Sequence, residues 1–205
     1  MFKKNTIASS NPDYWESAYK ANEMGWDLGG PTPVFKSWIK KYKSKLSICV
    51  LGAGNGWDAL YLAKQGHQVV AVDFAKSAII NINKTAKKNN ISLTTHHMNI
   101  FDLNKLYLNY FDVVLEYTCF CAIDPLDRRK YLEVVRNILK QYGELVGMLF
   151  PVDKDPNDGG PPFGVELQTT ILLISEYFKC IKKEFSPLSI KPRLGREVFI
   201  TFQKK

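Results

Sequence analysis

The chain has 205 residues, 45% hydrophobic and 23% charged, with a formal net charge of +8. That length supports one globular domain with a sizeable core. No run of about 18 apolar residues exists, which excludes a membrane-spanning helix. The opening segment, MFKKNTIASSNPDYW, lacks the apolar stretch of a secretory signal. The lysines fall in scattered pairs such as Lys40–Lys41 and Lys87–Lys88, the pattern of a solvated surface rather than a nucleic-acid face. Cys49, Cys119, Cys121 and Cys180 follow no zinc or disulfide spacing. A reducing cytoplasm is the expected location, and a monomer the expected state.

In chain order, residues 12–24 read as a helix, with Asn11 as cap and Pro12 in the first turn. Gly25, Gly29, Gly30, Pro31 and Pro33 make a loop, and 33–43 a second helix. LSICVL (46–51) is an uninterrupted apolar run, as strands buried on both faces are. Helix 56–66, strand 68–73, helix 75–89 and a weaker strand 92–98 follow. Strand 111–117, helix 126–141 and strand 144–150 come next, then helix 165–177 and strands 178–185 and 197–203. Strands alternating with helices predict a parallel sheet. The last two strands are joined by SPLSIKPRLGR without a helix, which predicts an antiparallel pair at the sheet edge. The expected fold is α/β: seven strands, mostly parallel, one antiparallel near the C-terminus, helices on both faces. This is the Rossmann-like layout of class I methyltransferases. Residues 1–205 are read as one domain, with 1–45 as a helical cover and 46–205 as the core.

The motif with the most chemistry is VLGAGNGWD (50–58). A strand, a glycine turn and a helix N-terminus form a nucleotide-binding device, because glycine lets a ligand approach the backbone. A dinucleotide fingerprint needs its third glycine at position 57, where Trp57 stands. The spacing present, Gly52, Gly54 and Gly56, resembles the S-adenosylmethionine turn of methyltransferases. Trp57 starts the next helix, where no third close approach is needed. Asp73 lies 21 residues after Gly52 and ends the second strand, followed by Phe74. A carboxylate there accepts ribose hydroxyls in either class of cofactor. At the third strand end, Asn99 either reaches an adenine amine or makes a turn, and Ile100 packs on the ring. Tyr117, ending the fourth strand, faces the methyl-donor end or serves as a rim aromatic.

Four stretches, DYWESAYKANEMGWDLGGPTP (13–33), VLGAGNG (50–56), EYTCFCAIDP (116–125) and FPVDKDPNDGGPPFGV (150–165), resemble the thiopurine S-methyltransferase family. Its thiol and halide methyltransferase branch is the most similar. The resemblance runs from about residue 13 to the final strand. It implies a methyltransferase that uses S-adenosylmethionine, releases S-adenosylhomocysteine and takes a small-molecule acceptor. It also implies that Trp15, Tyr19 and Trp26 cover the cofactor, their faces attracting its sulfonium by about 0.5–2 kcal/mol. Gly52, Gly54, Asp73, Phe74, Asn99, Ile100 and Tyr117 are the other implied cofactor residues. Three positions depart from the family pattern. Asn99 replaces its common aspartate, Tyr117 stands where thiopurine enzymes have arginine, and Phe150 where plant thiol and halide enzymes have tyrosine. The thiopurine acceptor is thereby disfavoured and the halide acceptor placed in question.

A thiol ionises readily enough to need no dedicated base, so no catalytic residue is fixed; Asp153 and Tyr19 are the candidates. Asp153 and Asp155 either orient an acceptor or are solvated loop carboxylates. His96 and His97 are base candidates in the third strand, and His67 is read as solvated. Phe120, Phe150 and Phe163 are expected to line an apolar acceptor pocket, beneath a stiff lid at Gly159, Gly160, Pro161 and Pro162. No metal, membrane or nucleic-acid partner is expected. A methyltransferase acting on RNA or another larger substrate, one acting on halides, and a binding module without catalysis are the competing readings. EYTCFCAIDP carries none of the Asn/Asp-Pro-Pro-aromatic motif used on base amines.

Overall fold

The alternation of inward and outward side chains along β1 (Ser47–Leu51) explains why its sequence is apolar throughout. Ile48 and Val50 point into one core, Cys49 and Leu51 into another, on the opposite side of the sheet. The same division repeats along β2 (Gln68–Asp73), β4 (Phe111–Tyr117) and β5 (Leu139–Leu149). With both faces covered, no strand position can be polar without cost. A computed structural model describes residues 9–205. The reading of the extreme N-terminus, including residues 1–8 of the cover, therefore lies outside the described residues.

Seven strands form one sheet in the order β3-β2-β1-β4-β5-β7-β6, where β3 is Thr94–His97, β6 Phe178–Glu184 and β7 Val198–Lys204. The first five are parallel to their neighbours, whereas β7 runs antiparallel to both β5 and β6. This is the expected seven-stranded sheet. One core holds the apolar faces of α2 (Pro33–Trp38), α3 (Trp57–Lys64) and α4 (Lys76–Lys88), whereas α1 (Pro12–Ala21) contributes no buried residue to it. The other holds α5 (Arg128–Ile138) and α6 (Leu167–Tyr177). Strand β1 pairs with β2 on one side and β4 on the other, so the chain reverses its direction of travel there. The carboxyl ends of β1 and β4 thus flank the crevice where open α/β sheets bind ligands.

Element boundaries depart most from the sequence reading in four places. The first helix stops at Ala21 because Asn22 adopts a left-handed φ of +58° and closes it. The second breaks at Trp38 into a 3-10 turn, Ile39–Lys41. The expected helix 126–141 ends at Ile138, since Leu139 pairs with Phe111 and opens β5; an irregularity between Phe111 and Val113 absorbs the extra residues around Tyr142 and Gly143. The third strand shortens to four polar residues at the sheet edge. At the other edge, β6 exposes Lys179, Lys182 and Lys183, charges that discourage pairing with another chain.

Two glycines with left-handed φ bracket α3 and separate backbone strain from crowding. At Gly66 (φ +91°) a Cβ would meet nothing within 4 Å; at Gly56 (φ +76°) it would lie 2.5 Å from Ile82 Cγ1. Gly66→Ala is expected to lose about 1–2 kcal/mol, the strain alone. Gly56→Ala should lose about 1–3 kcal/mol more. Urea unfolding of the two variants checks the order, and equal losses would remove the close approach of the turn to α4.

Candidate active site

The glycine turn is built by three positive φ angles: +55° at Gly52, +57° at Gly54 and +76° at Gly56. A Cβ at Gly52 would lie 3.0 Å from Cys119 Sγ, and one at Gly54 would lie 3.4 Å from Tyr19 Oη. The turn is therefore pressed between the end of β4 and the cover helix. Its other anchor is Asp73, at the end of the neighbouring strand. The Asp73 carboxylate accepts from Gly54 N–H at 2.9 Å and Ala75 N–H at 2.9 Å. Burial pushes its pKa up to about 6, against the pull of those backbone donors.

The cover is fastened by side-chain carboxylates. In α1, Glu16 accepts from Ser77 N–H at 2.9 Å and Ser77 Oγ at 2.7 Å, docking the helix on the start of α4. Asp27 accepts from Gly29 N–H at 2.6 Å, from Trp57 Nε1 at 2.7 Å and from Asn55 Nδ2. Asp58 accepts from Thr32 N–H and Oγ1, both at 2.8 Å, and burial raises its pKa to about 6. Trp57, which stands where a dinucleotide turn has glycine, is thus one of the latches. Inside the latched segment Trp26 meets Trp15 edge-on at 5.2 Å and Tyr19 at 5.8 Å.

These elements enclose a cavity of about 590 Å³ at the carboxyl edge of the sheet. Trp15, Tyr19, Trp26, Gly52, Gly54, Asp73, Phe74, Asn99, Ile100 and Phe150 all line it. Asn99 also makes the turn that its type favours, Oδ1 accepting from Phe101 N–H at 3.0 Å. The volume falls within the range of small-molecule sites. The turn, without Cβ atoms at Gly52 and Gly54, and the buried carboxylate beside it fit an adenosyl group with its ribose hydroxyls.

Other expected residues lie elsewhere. Tyr117 faces a smaller hollow of about 60 Å³ beside the cavity. Its hydroxyl donates to Glu197 at 2.7 Å and its ring meets Phe35 at 5.9 Å. Phe120 and Phe163 are not among the residues that line this cavity. Phe120 packs in the core on Tyr131, with the Arg128 guanidinium 4.7 Å over its face. Phe163 is buried under Gly160, and its N–H donates to Cys121 O at 2.7 Å. Asp153 is ion-paired with Arg196 at 2.6 Å, which holds its carboxyl below the usual range. Asp155 caps the short turn at Asn157. The histidines are engaged away from the cavity: His96 with Tyr107 Oη at 2.8 Å, His97 with Phe74 O at 3.1 Å, and His67 as acceptor of Leu46 N–H at 3.2 Å. Pro161 and Pro162 do line the cavity, and Lys154 Nζ holds their segment by donating to Gly159 O at 2.9 Å and Pro162 O at 2.7 Å.

The residue that sequence reasoning missed is Arg193. It sits in the connection between β6 and β7, lines the cavity and is only 5% exposed. One arm donates to Trp26 O at 2.7 Å. The guanidinium lies 4.8 Å from the Tyr117 ring centroid and 4.9 Å from that of Phe150. Nη1 has no hydrogen-bond partner among the described residues. Only the absence of a helix in an unusually long connection marked this segment as special.

Comparison with known proteins agrees with this geometry. Residues 10–192 match the family model described as thiopurine S-methyltransferase. A probable thiol methyltransferase 2 of Arabidopsis thaliana is 29% identical, over 89% of this chain and 81% of that protein. Thiocyanate methyltransferase 1 of Brassica oleracea is 29% identical with the same coverage. Among solved structures, the 1,6-didemethyltoxoflavin-N1-methyltransferase of Burkholderia thailandensis, determined with S-adenosylhomocysteine bound, superposes with a TM-score of 0.76. It is 20% identical and covers 97% of this chain and 88% of that one, a likeness of fold. With the family model spanning nearly the whole chain, this protein belongs to the thiopurine S-methyltransferase family.

Proposed function

We propose that the chain transfers a methyl group from S-adenosylmethionine to a small thiol acceptor, as a cytoplasmic monomer whose residues 1–45 form the cover. The observation that carries the acceptor class is the buried Arg193 side chain, which lines the cavity with its guanidinium 4.8 Å from the Tyr117 ring centroid and 4.9 Å from that of Phe150. When bound, S-adenosylmethionine supplies a methyl group activated by a sulfonium. Asp73 would hold the ribose hydroxyls, Ile100 and Phe101 the adenine face, and Trp15, Tyr19 and Trp26 the cover. Arg193 attracts the acceptor as its thiolate. A cation about 4–5 Å from a thiolate contributes up to roughly 3–4 kcal/mol at an effective dielectric of 20. Bringing a thiol of pKa about 8.5 to 7 takes only about 2 kcal/mol. That accounts for a cavity with no histidine among its described lining residues. Phe150, Pro161 and Pro162 keep water from the acceptor end, which favours a displacement in which opposite charges cancel. Holding the sulfur in line with the methyl carbon, about 3–3.5 Å away, supplies much of the remaining rate.

Release of S-adenosylhomocysteine with sulfide, methanethiol, aromatic thiols, thiocyanate, iodide, thiopurines and RNA tests the acceptor class. Turnover confined to RNA or to halides would sink the thiol reading. Arg193→Met is expected to lower kcat/KM for a thiol by about thirtyfold, the equivalent of ~2 kcal/mol. It should also move the ascending, acid-side limb of the kcat–pH profile up toward the free thiol's pKa of about 8.5. An unmoved limb would leave Arg193 as a strut for Trp26 alone.

Asp73 must be ionised to accept from a ribose. Because its folded pKa is raised to about 6, the accepting form is present above that pH and lost as pH falls through it. Calorimetric affinity for S-adenosylhomocysteine is therefore expected to fall below about pH 6. Asp73→Asn should weaken it by at least about tenfold at neutral pH and flatten that acid step. Undiminished affinity in this variant would place the ribose elsewhere.

A further inference from the structure

Glu116 is a buried acid that the proposed chemistry does not use. It is 3% exposed and lies in β4 between Leu51 of β1 and Gly147 of β5. Its carboxylate turns away from the cavity, into the core beneath the end of its own strand. There it accepts from Phe120 N–H at 2.7 Å, with Cys119 N–H close by. The fold makes room for it: a Cβ at Gly147 would lie 2.9 Å from Glu116 Cγ. A hydrophobic residue would fill this slot without the cost of burying a carboxylate.

What the carboxylate holds is the strained turn at the head of β4. Thr118 has a φ of +61°, the left-handed region that a β-branched residue rarely enters. Thr118, Cys119, Cys121 and Ala122 all line the cavity. Cys119 Cβ and Sγ are the atoms that come within 3.0 Å of a Cβ placed on Gly52. A shift of this turn therefore presses directly on the glycine turn. Strain of this kind persists where surrounding contacts over-determine it.

We propose that Glu116 is a positioning residue for the donor site, its ionised carboxylate drawing the 118–121 turn into the shape that the glycine turn and the donor require. The inference rests on the reading of the cavity as the donor site. The ionised carboxylate makes a charge-assisted bond to Phe120 N–H, roughly twice as strong as that of the neutral acid. The groups that face it are Arg128 and Tyr131 of α5, and Cys119 and Cys121 of the turn itself. Burial pushes its pKa up to about 7, with Arg128 and the two backbone donors pulling the other way. The sign follows: the holding form is present above about pH 7 and lost as pH falls through it, a step separate from that of Asp73.

The test is S-adenosylhomocysteine binding by calorimetry to the wild-type chain and to Glu116→Gln from about pH 5.5 to 8.5. The variant imitates the protonated acid. The ratio of the two affinities is expected to be near one at the acid end and to rise to about tenfold at the alkaline end, the equivalent of ~1.4 kcal/mol. The Asp73 step is common to both proteins and cancels in the ratio. A constant ratio across the range, as from a merely structural lesion, overturns the proposal. A second measurement needs no variant: the side-chain carboxyl resonance of Glu116 is titrated with and without S-adenosylhomocysteine. Reciprocity requires binding to lower its apparent pKa by about one unit, and an unmoved midpoint overturns the proposal independently. Failure of the wild type to bind at any pH would instead remove the donor reading itself.

Discussion

Backbone N–H groups that leave a parallel sheet at its carboxyl edge have no further strand to pair with, and buried ones must be satisfied. In this protein carboxylates take them. Asp73 accepts from Gly54 and Ala75, Glu116 from Phe120, Asp58 from Thr32 and Asp27 from Gly29. The glycine turn, the turn after β4 and the loop before α2 are held this way, whereas the turn after β3 uses the Asn99 amide oxygen, which accepts from Phe101 N–H. The chain is strongly basic overall, yet its functional edge is organised by acids pointing inward. The lysines are spent elsewhere, on the solvated faces and on the β6 edge.

The arrangement has a cost that runs opposite to ordinary surface ion pairs. Burial raises the pKa of Asp73 to about 6 and of Glu116 to about 7. Both lie above the values these groups have in an unfolded chain, so the folded form binds protons more tightly. Their ionisation then opposes folding, by roughly 3 kcal/mol for each as pH rises from below 4 to above 7. A chain selected for stability alone would place apolar side chains at these positions. That both acids sit at strand ends beside the cavity ties the cost to function.

Much of this was legible from residue order. A doubly covered strand must be apolar throughout, which makes LSICVL and FDVVLEY visible as strands. The glycine spacing after the first and the acid ending the second then locate the switch point. Trp15, Tyr19 and Trp26 were named through the family resemblance, and they meet one another at the cavity. What escaped depends on contacts between distant segments. In β4, Glu116 and Tyr117 must point to opposite faces, but spacing does not say which face meets the cavity. The space for Glu116 comes from Gly147 on the neighbouring strand, and the register that pairs them is set by the whole sheet. The helix before β5 ended early for the same kind of reason: pairing of Leu139 with Phe111 outweighed a helical pattern that ran further. Arg193 lay in a segment with no periodicity to read.

Arg193 also joins the two halves of the site. The carbonyl it binds belongs to Trp26, whose ring packs on Trp15 and Tyr19 and whose neighbour Asp27 is held by Asn55 and Trp57. Asn55 and Trp57 are in turn the residues that flank Gly56 of the donor turn. In the proposed reading, one guanidinium holds the cover through Trp26 O while its charge attracts the acceptor. Loss of the cover's grip on the donor and loss of attraction for a thiolate are coupled through this side chain. The coupling separates by observable: the first changes donor affinity at every pH, whereas the second moves the acceptor's ionisation. Such economy suits a small chain, since a cavity closed by its own acceptor-binding residue is sealed from water only when cover, donor turn and acceptor wall are all in register.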